Sequence, residues 1–202
     1  MIVCPRGLCA ARQLPPVTQP FGASAGAVQA LLIVLPALPA DFPLPVLVVV
    51  HVPADRDNVL VPLLRAKCRL TVKEAEDKEP IAAGAIYFAP SDYHLLVEAD
   101  ETVALSTDEV VNYSRPSIDV LFESAADAYG EQLVGIILTG ANHDGAAGLR
   151  AVAEAGGVAV VQASADAYAT AMPDAALEAC PSAEVMTLDA IASYLSSLGT
   201  AR

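Results

Sequence analysis

A doubly wound α/β domain, with helices on both faces of a mainly parallel sheet in three αβα layers, is the fold class this sequence predicts, and three observations predict it. Continuous apolar runs stand at 45–50 (PVLVVV), 135–139 (GIILT) and 157–161 (GVAVV). Strands that are apolar at every position are buried on both faces, as in parallel sheets covered by helices. Helical patterns alternate with these runs. Between 85 and 106 the pattern changes to the short segments IYFAP, HLLVE and TVALS, separated by Ser91, Asp92 and Asp100, which predicts an antiparallel hairpin extension on the sheet. The 202 residues, 54% hydrophobic, suffice for one such domain and are few for two.

Residues 1–20 hold Pro5, Pro15, Pro16 and Pro20 without apolar periodicity and read as an irregular lead-in, so the domain is expected over 21–202. Pro20 also predicts a short or distorted first strand, because proline cannot donate to a central ladder. Further on, Ser117 precedes IDVLFESAADAYG, whose Val120, Leu121, Ala125 and Tyr129 fall at helical spacing before Gly130 ends the run. A second helix is expected through AAGLRAVAEAGG at 146–157, stopping at its glycine pair.

Charge and cysteine usage exclude several functions. The net charge is −13, and Arg56, Arg65, Lys67, Arg69, Lys73 and Arg115 are scattered, so no basic stripe is present to bind nucleic acid. Cys4, Cys9, Cys68 and Cys180 form no C-x-x-C pair and read as reduced thiols rather than a metal or redox centre. MIVC followed by Arg6 is too short for a secretory signal, and Pro36 and Pro39 interrupt LLIVLPAL; no membrane insertion is expected, and a cytoplasmic location follows. Neither GASAGA nor TGANHDGAAG matches G-x-G-x-x-G or a P-loop, so no bound nucleotide is expected.

In an open parallel sheet the ligand crevice lies outside the carboxyl ends of the strands. Three reactive side chains fall there: Ser24 in GASAG, His51 directly after PVLVVV, and Asp144 in TGANHDG after GIIL. Serine needs an imidazole base within hydrogen-bond reach, and the imidazole needs a carboxylate to fix its tautomer. Gly22 and Gly26 would let a tight strand-to-helix turn aim backbone N–H groups at an oxyanion. Each residue also has a plainer reading: Ser24 as a helix cap, His51 as a satisfied core histidine, Asp144 as a turn residue or the cap of the 146–156 helix. His143 reads as solvated, and His94 as a hairpin residue without a role.

FGASAGAVQALLIVLPALPADFPLPVLVVVHVPA, GAIYFAPSDYHLLV, RPSIDVLFESAA, GIILTGANHDGAAGLRAVAEAGG and AMPDAALEA together resemble, in order, the signature segments of the chemotaxis receptor glutamate methylesterases. The resemblance runs from about Phe21 to Leu198. It implies that Ser24 is the nucleophile, His51 the general base and Asp144 its carboxylate partner, without metal or organic cofactor. The implied substrate is a methylated glutamate on a chemoreceptor or other signalling-protein helix, with glutamine deamidation as a further activity. The implied fold is a doubly wound sheet with an antiparallel hairpin.

Departures from the family pattern touch the active-site loops. Ala25 stands for the usual Thr, Ala27 for a Gly, and Ala141 with Asn142 for the usual Met-Gly. Residues 54–58 (ADRDN) replace an aromatic and a hydroxyl residue, so a different substrate groove is expected there. At Asn142, any need for positive φ predicts local strain. Twenty residues before the serine turn are too few for a receiver domain, so any regulator is expected to act in trans or through a partner. The alternative to an enzyme is a degenerate relative that binds a receptor or signalling protein without turnover. Oligomeric state has no signal in the sequence.

Overall fold

The structure is a computed structural model that describes residues 20–23, 26–51 and 60–199. Its strands are β1 (Pro20–Ala23), β2 (Val46–Val50), β3 (Thr71–Glu74), β4 (Ala85–Phe88), β5 (His94–Val97), β6 (Val103–Ser106), β7 (Val134–Ile137), β8 (Val158–Gln162) and β9 (Glu184–Met186). Seven of them form one sheet in the order β3-β4-β2-β1-β7-β8-β9, with every neighbouring pair parallel. The helices are α1 (Ala27–Val34), α2 (Leu60–Arg65), α3 (Ile118–Tyr129), α4 (Ala146–Glu154), α5 (Ala171–Ala179) and α6 (Leu188–Leu198). α3, α4 and α5 pack in one row and α1 packs on α6, which gives the expected three-layer α/β architecture.

The apolar runs become the buried strands. All five residues of β2 and all four of β7 are buried, as a strand with helices over both faces requires. Helix α3 forms as expected and buries Leu121, Ala125 and Tyr129 of the predicted stripe, but Ile118 and Phe122 complete the buried face in place of the half-buried Val120, and Gly130 caps it at φ 54. Helix α4 stops at Glu154, and Gly156 at φ +85 turns the chain away. Pro20 is the first residue of β1, the position in a strand that best tolerates a missing N–H. The strand is short, meeting β2 over four residues but β7 only at Phe21 and Gly22.

The expectation for 85–106 needs correction. IYFAP does not join an antiparallel extension: its Ile86, Tyr87 and Phe88 lie in β4, a parallel strand between β3 and β2 that is buried at all four positions. Its apolar residues are contiguous, which is the signature of a doubly covered strand rather than a half-exposed one. β5 and β6 do form an antiparallel hairpin, but as a separate two-stranded sheet whose β5 packs on α3. Cys68 and Cys180 are free thiols, and burial pushes Cys68 up to about 11, which keeps it protonated and unreactive. Cys4 and Cys9, the rest of the lead-in up to residue 19, and residues 54–58 lie outside the described residues.

Candidate active site

The sheet order places β1 beside β2 on one edge and β7 on the other. The chain lays β2, β3 and β4 on one side of β1 and β7, β8 and β9 on the other, so the carboxyl ends of β1, β2 and β7 border the switch point where doubly wound sheets bind ligands. His51 is the first residue after β2, and the loop after β7 carries Asp144. His51 and Asp144, 93 residues apart in sequence, meet with Nε2 to Oδ2 at 2.8 Å. The imidazole is 13% exposed and the carboxylate is fully buried. Ser24 and Ala25 lie outside the described residues.

Asp144 accepts five hydrogen bonds. Oδ2 takes His51 Nε2 at 2.8 Å and the Ile118 backbone N–H at 2.7 Å; Oδ1 takes Ser117 Oγ–H at 2.8 Å, Asn112 Nδ2 at 3.0 Å and the Asp119 N–H at 3.3 Å. Burial alone would raise this carboxyl, but the donors His51, Asn112, Ile118 and Ser117 outweigh it and hold Asp144 below its ordinary value. The side chain is therefore an ionised acceptor, and His51 must present a proton on Nε2.

Two carboxylates exchange helices here. Asp144, just before α4, caps the N-terminus of α3 through Ile118 and Asp119; Asp119, in the first turn of α3, takes the Gly148 N–H of α4 at 2.6 Å. Each anion sits where helix dipole and orphan N–H groups favour negative charge. The plainer reading of Asp144 as cap of its own helix is thus replaced by a cap in trans, while Gly145 holds the α4 N-cap. Asn112 joins the carboxylates, donating one amide hydrogen to Asp119 at 2.7 Å and the other to Asp144. Asp119 is raised above its ordinary value, chiefly by burial and further by the Asp144 charge, against the Gly148 and Asn112 donors.

Asn112 reaches this place because the loop between β6 and α3 is pinned. Arg115 bonds Asp92 and the carbonyls of Thr107 and Asp108, and Asn112 itself stands at φ 51. His94, buried on β5, accepts the Ser117 N–H on Nδ1 and bonds the Glu109 carbonyl through Nε2. It does have a role, contrary to the sequence reading: it anchors Ser117 beside Asp144. His143 is exposed as expected.

Two glycines set the local backbone. Gly145 adopts φ +94, and a Cβ there would meet Ile118 Cγ2 and Ile137 Cδ1, each at 2.6 Å. We expect Gly145→Ala to lose about 2–4 kcal/mol of stability, combining the positive-φ penalty with overpacking, as read from urea unfolding. A loss under about 1 kcal/mol would mean that this turn relaxes freely. Gly26, at φ +83, opens α1 against Tyr168 and Thr139. Gly26, Thr139, Gln162 and the exposed Tyr168 help to line a cavity of about 270 Å³.

Among the described residues no group of three or more His, Cys, Asp or Glu side chains is arranged to hold a metal ion, and no helix is long and apolar enough to cross a membrane. Asn142 departs from the expectation of strain. The non-glycine residues at positive φ, among those described, are Lys78, Asp92, Glu101, Asn112 and Tyr113, and Asn142 is not one of them. Its side chain is the active part: Oδ1 accepts the Asp144 N–H at 3.2 Å, and Nδ2 lies 3.2 Å from His51 Nδ1.

Fold and site together define a class: a doubly wound α/β domain with an imidazole–carboxylate pair at the switch point of its sheet. The CheB methylesterase family model matches residues 21–195. A putative protein-glutamate methylesterase/protein-glutamine glutaminase from Leptospira interrogans is 49% identical over 138 residues, 68% of this chain and 72% of that protein. A protein-glutamate methylesterase/protein-glutamine glutaminase from Symbiobacterium thermophilum is 42% identical over 137 residues, but only 38% of its length is covered. The crystal structure of the Thermotoga maritima CheB methylesterase catalytic domain superposes with a TM-score of 0.87 at 32% identity, covering 92% of this chain and all of that one. The chain belongs to the CheB methylesterase family.

Proposed function

We propose that this protein is a protein-glutamate methylesterase, and a glutamine deamidase on the same substrates, in which Ser24 attacks, His51 takes its proton and Asp144 holds the imidazole. The observation that carries the reading is the His51–Asp144 pair, at 2.8 Å with a fully buried carboxylate, at the carboxyl ends of strands flanking the one that leads into Ser24. With the proton on Nε2 toward Asp144, Nδ1 is the basic nitrogen. It accepts the hydroxyl proton as oxygen attacks the ester carbonyl, then returns it to the departing methoxide, which leaves as methanol. Water repeats the cycle on the acyl-enzyme and releases glutamate. The first N–H groups of α1, beyond Gly26, supply donors for the oxyanion.

The substrate is a methylated chemoreceptor or similar signalling helix, and the protein works in the cytoplasm. The test is methanol release from a methylated receptor fragment, for wild type and Ser24→Ala. Release that disappears in the variant supports the esterase. No release from wild type would favour the binding-module alternative, and equal release from both would remove Ser24 from the mechanism.

A further inference from the structure

The nitrogen of His51 that must act as base is already engaged. Asp144 is ionised and accepts from Nε2, so the neutral ring carries its free lone pair on Nδ1. The Asn142 amide nitrogen stands 3.2 Å from that atom. Its orientation is set from the other end, because Oδ1 accepts the Asp144 backbone N–H at 3.2 Å. An acceptor can only take a proton from a donor, so the NH₂ group must face the imidazole. One side chain therefore reads both members of the pair, bonding the backbone of one and capping the base of the other.

We infer that Asn142 is a positioning residue that caps His51 Nδ1, competing with the attacking hydroxyl for the base nitrogen and keeping the resting site below its full activity. An amide N–H can donate a hydrogen bond to Nδ1 but cannot be attacked through it or give up a proton at neutral pH, so the capped state is unproductive. For turnover the cap must swing aside, which costs the net worth of one neutral hydrogen bond. That is about 0.5–1.5 kcal/mol, or roughly a two- to twelvefold drag on kcat. Residues with no side-chain amide at 142, as in the usual Met-Gly of the family, leave Nδ1 uncapped. The inference rests on the reading of His51 as general base, but the occupancy of Nδ1 can be read without any substrate.

The experiment uses Asn142→Ala and Asn142→Gly in the full chain. In a Ser24→Ala background, which prevents the hydroxyl from replacing the amide, the rate of His51 carbethoxylation by diethyl pyrocarbonate is followed by peptide mass spectrometry. The reagent needs an imidazole lone pair, and the exposed His143 serves as internal reference. Both variants should modify His51 about two- to twelvefold faster than the Asn142 protein, relative to His143. With Ser24 restored, both should raise kcat for methanol release by a similar factor at little changed KM.

Unchanged His51 reactivity in Asn142→Ala, with His143 reactivity and circular dichroism intact, overturns the cap. A rise in Asn142→Gly alone also overturns it, by assigning the effect to backbone freedom, and so does a fall in kcat in both variants. Faster carbethoxylation without hydrolysis in any form would leave the cap standing and reject the methylesterase reading instead.

Discussion

Replacing His51 with alanine will lower kcat for methyl-ester hydrolysis by on the order of 10⁴-fold or more, because a serine hydroxyl without a base is scarcely nucleophilic at neutral pH. What remains will come from binding and oxyanion donors, about 10³–10⁴-fold over water in serine hydrolases that lose a triad member. The fold should survive. His51 is partly exposed at the end of β2, and the buried apolar strand before it keeps its packing. A His51→Ala protein with wild-type circular dichroism and undiminished methanol release would remove the imidazole from the reaction.

Asp144→Asn is expected to reduce kcat by a comparable amount, about 10⁴-fold, for a different reason. A carboxamide can turn its NH₂ toward Nε2, and that nitrogen must then accept, which moves the ring proton to the nitrogen that should be basic. This change also destabilises the protein, and through more contacts than His51→Ala, which removes one of the five donors to Asp144. The charge-assisted bonds from Ile118, Ser117 and Asn112 weaken, at a cost of about 2 kcal/mol or more. The pH dependence has a definite sign. Asp144 is held below the ordinary carboxylate range, so its contribution is complete above that range and is lost as pH falls through its lowered value. Asp119 is raised, so protonating it in acid relieves a buried charge and opposes the loss. The gap in unfolding free energy between wild type and Asp144→Asn should therefore be widest near neutrality and narrow below about pH 4. A gap independent of pH from 7 to 3 would show that the Asp144 charge contributes nothing to folding.

The parallel sheet was legible because its signal is local: β2, β7 and β8 are each a continuous apolar run with a helix following. β4 was misread because it sits just before a true hairpin in the chain, and turn residues alone do not tell which side of a turn joins which sheet. The His51–Asp144 pair was legible from two independent grounds, the carboxyl-end rule and the resemblance to the methylesterases. The surrounding network was not. Asn112 lies in VVNYS, with no motif around it, and matters only because a left-handed turn and the Arg115 pin carry it to two carboxylates. The exchange of caps between α3 and α4 was hidden for the same reason: Asp144 before Gly145 looks like the cap of the next helix until α3 is seen packed beside it. Asn142 departs visibly from the family pattern, but its effect lies in its amide rather than its backbone.

Closing this sheet joins distant parts of the chain. β1 is central, yet its two neighbours come from distant parts of the chain: Phe21 lies opposite Val48 on one side and Ile136 on the other. Pairings between such separated segments form slowly, since long loops must close before they are rewarded. During synthesis the first half of the chain emerges with His51 at the tip of β2 and no carboxylate to meet it. Only when β7 docks on β1 and α4 settles against α3 does Asp144 reach the imidazole, in the same event that satisfies the N-termini of both helices. The pair is incomplete until that docking, so the appearance of hydrolytic activity during refolding should report the joining of the C-terminal half to β1.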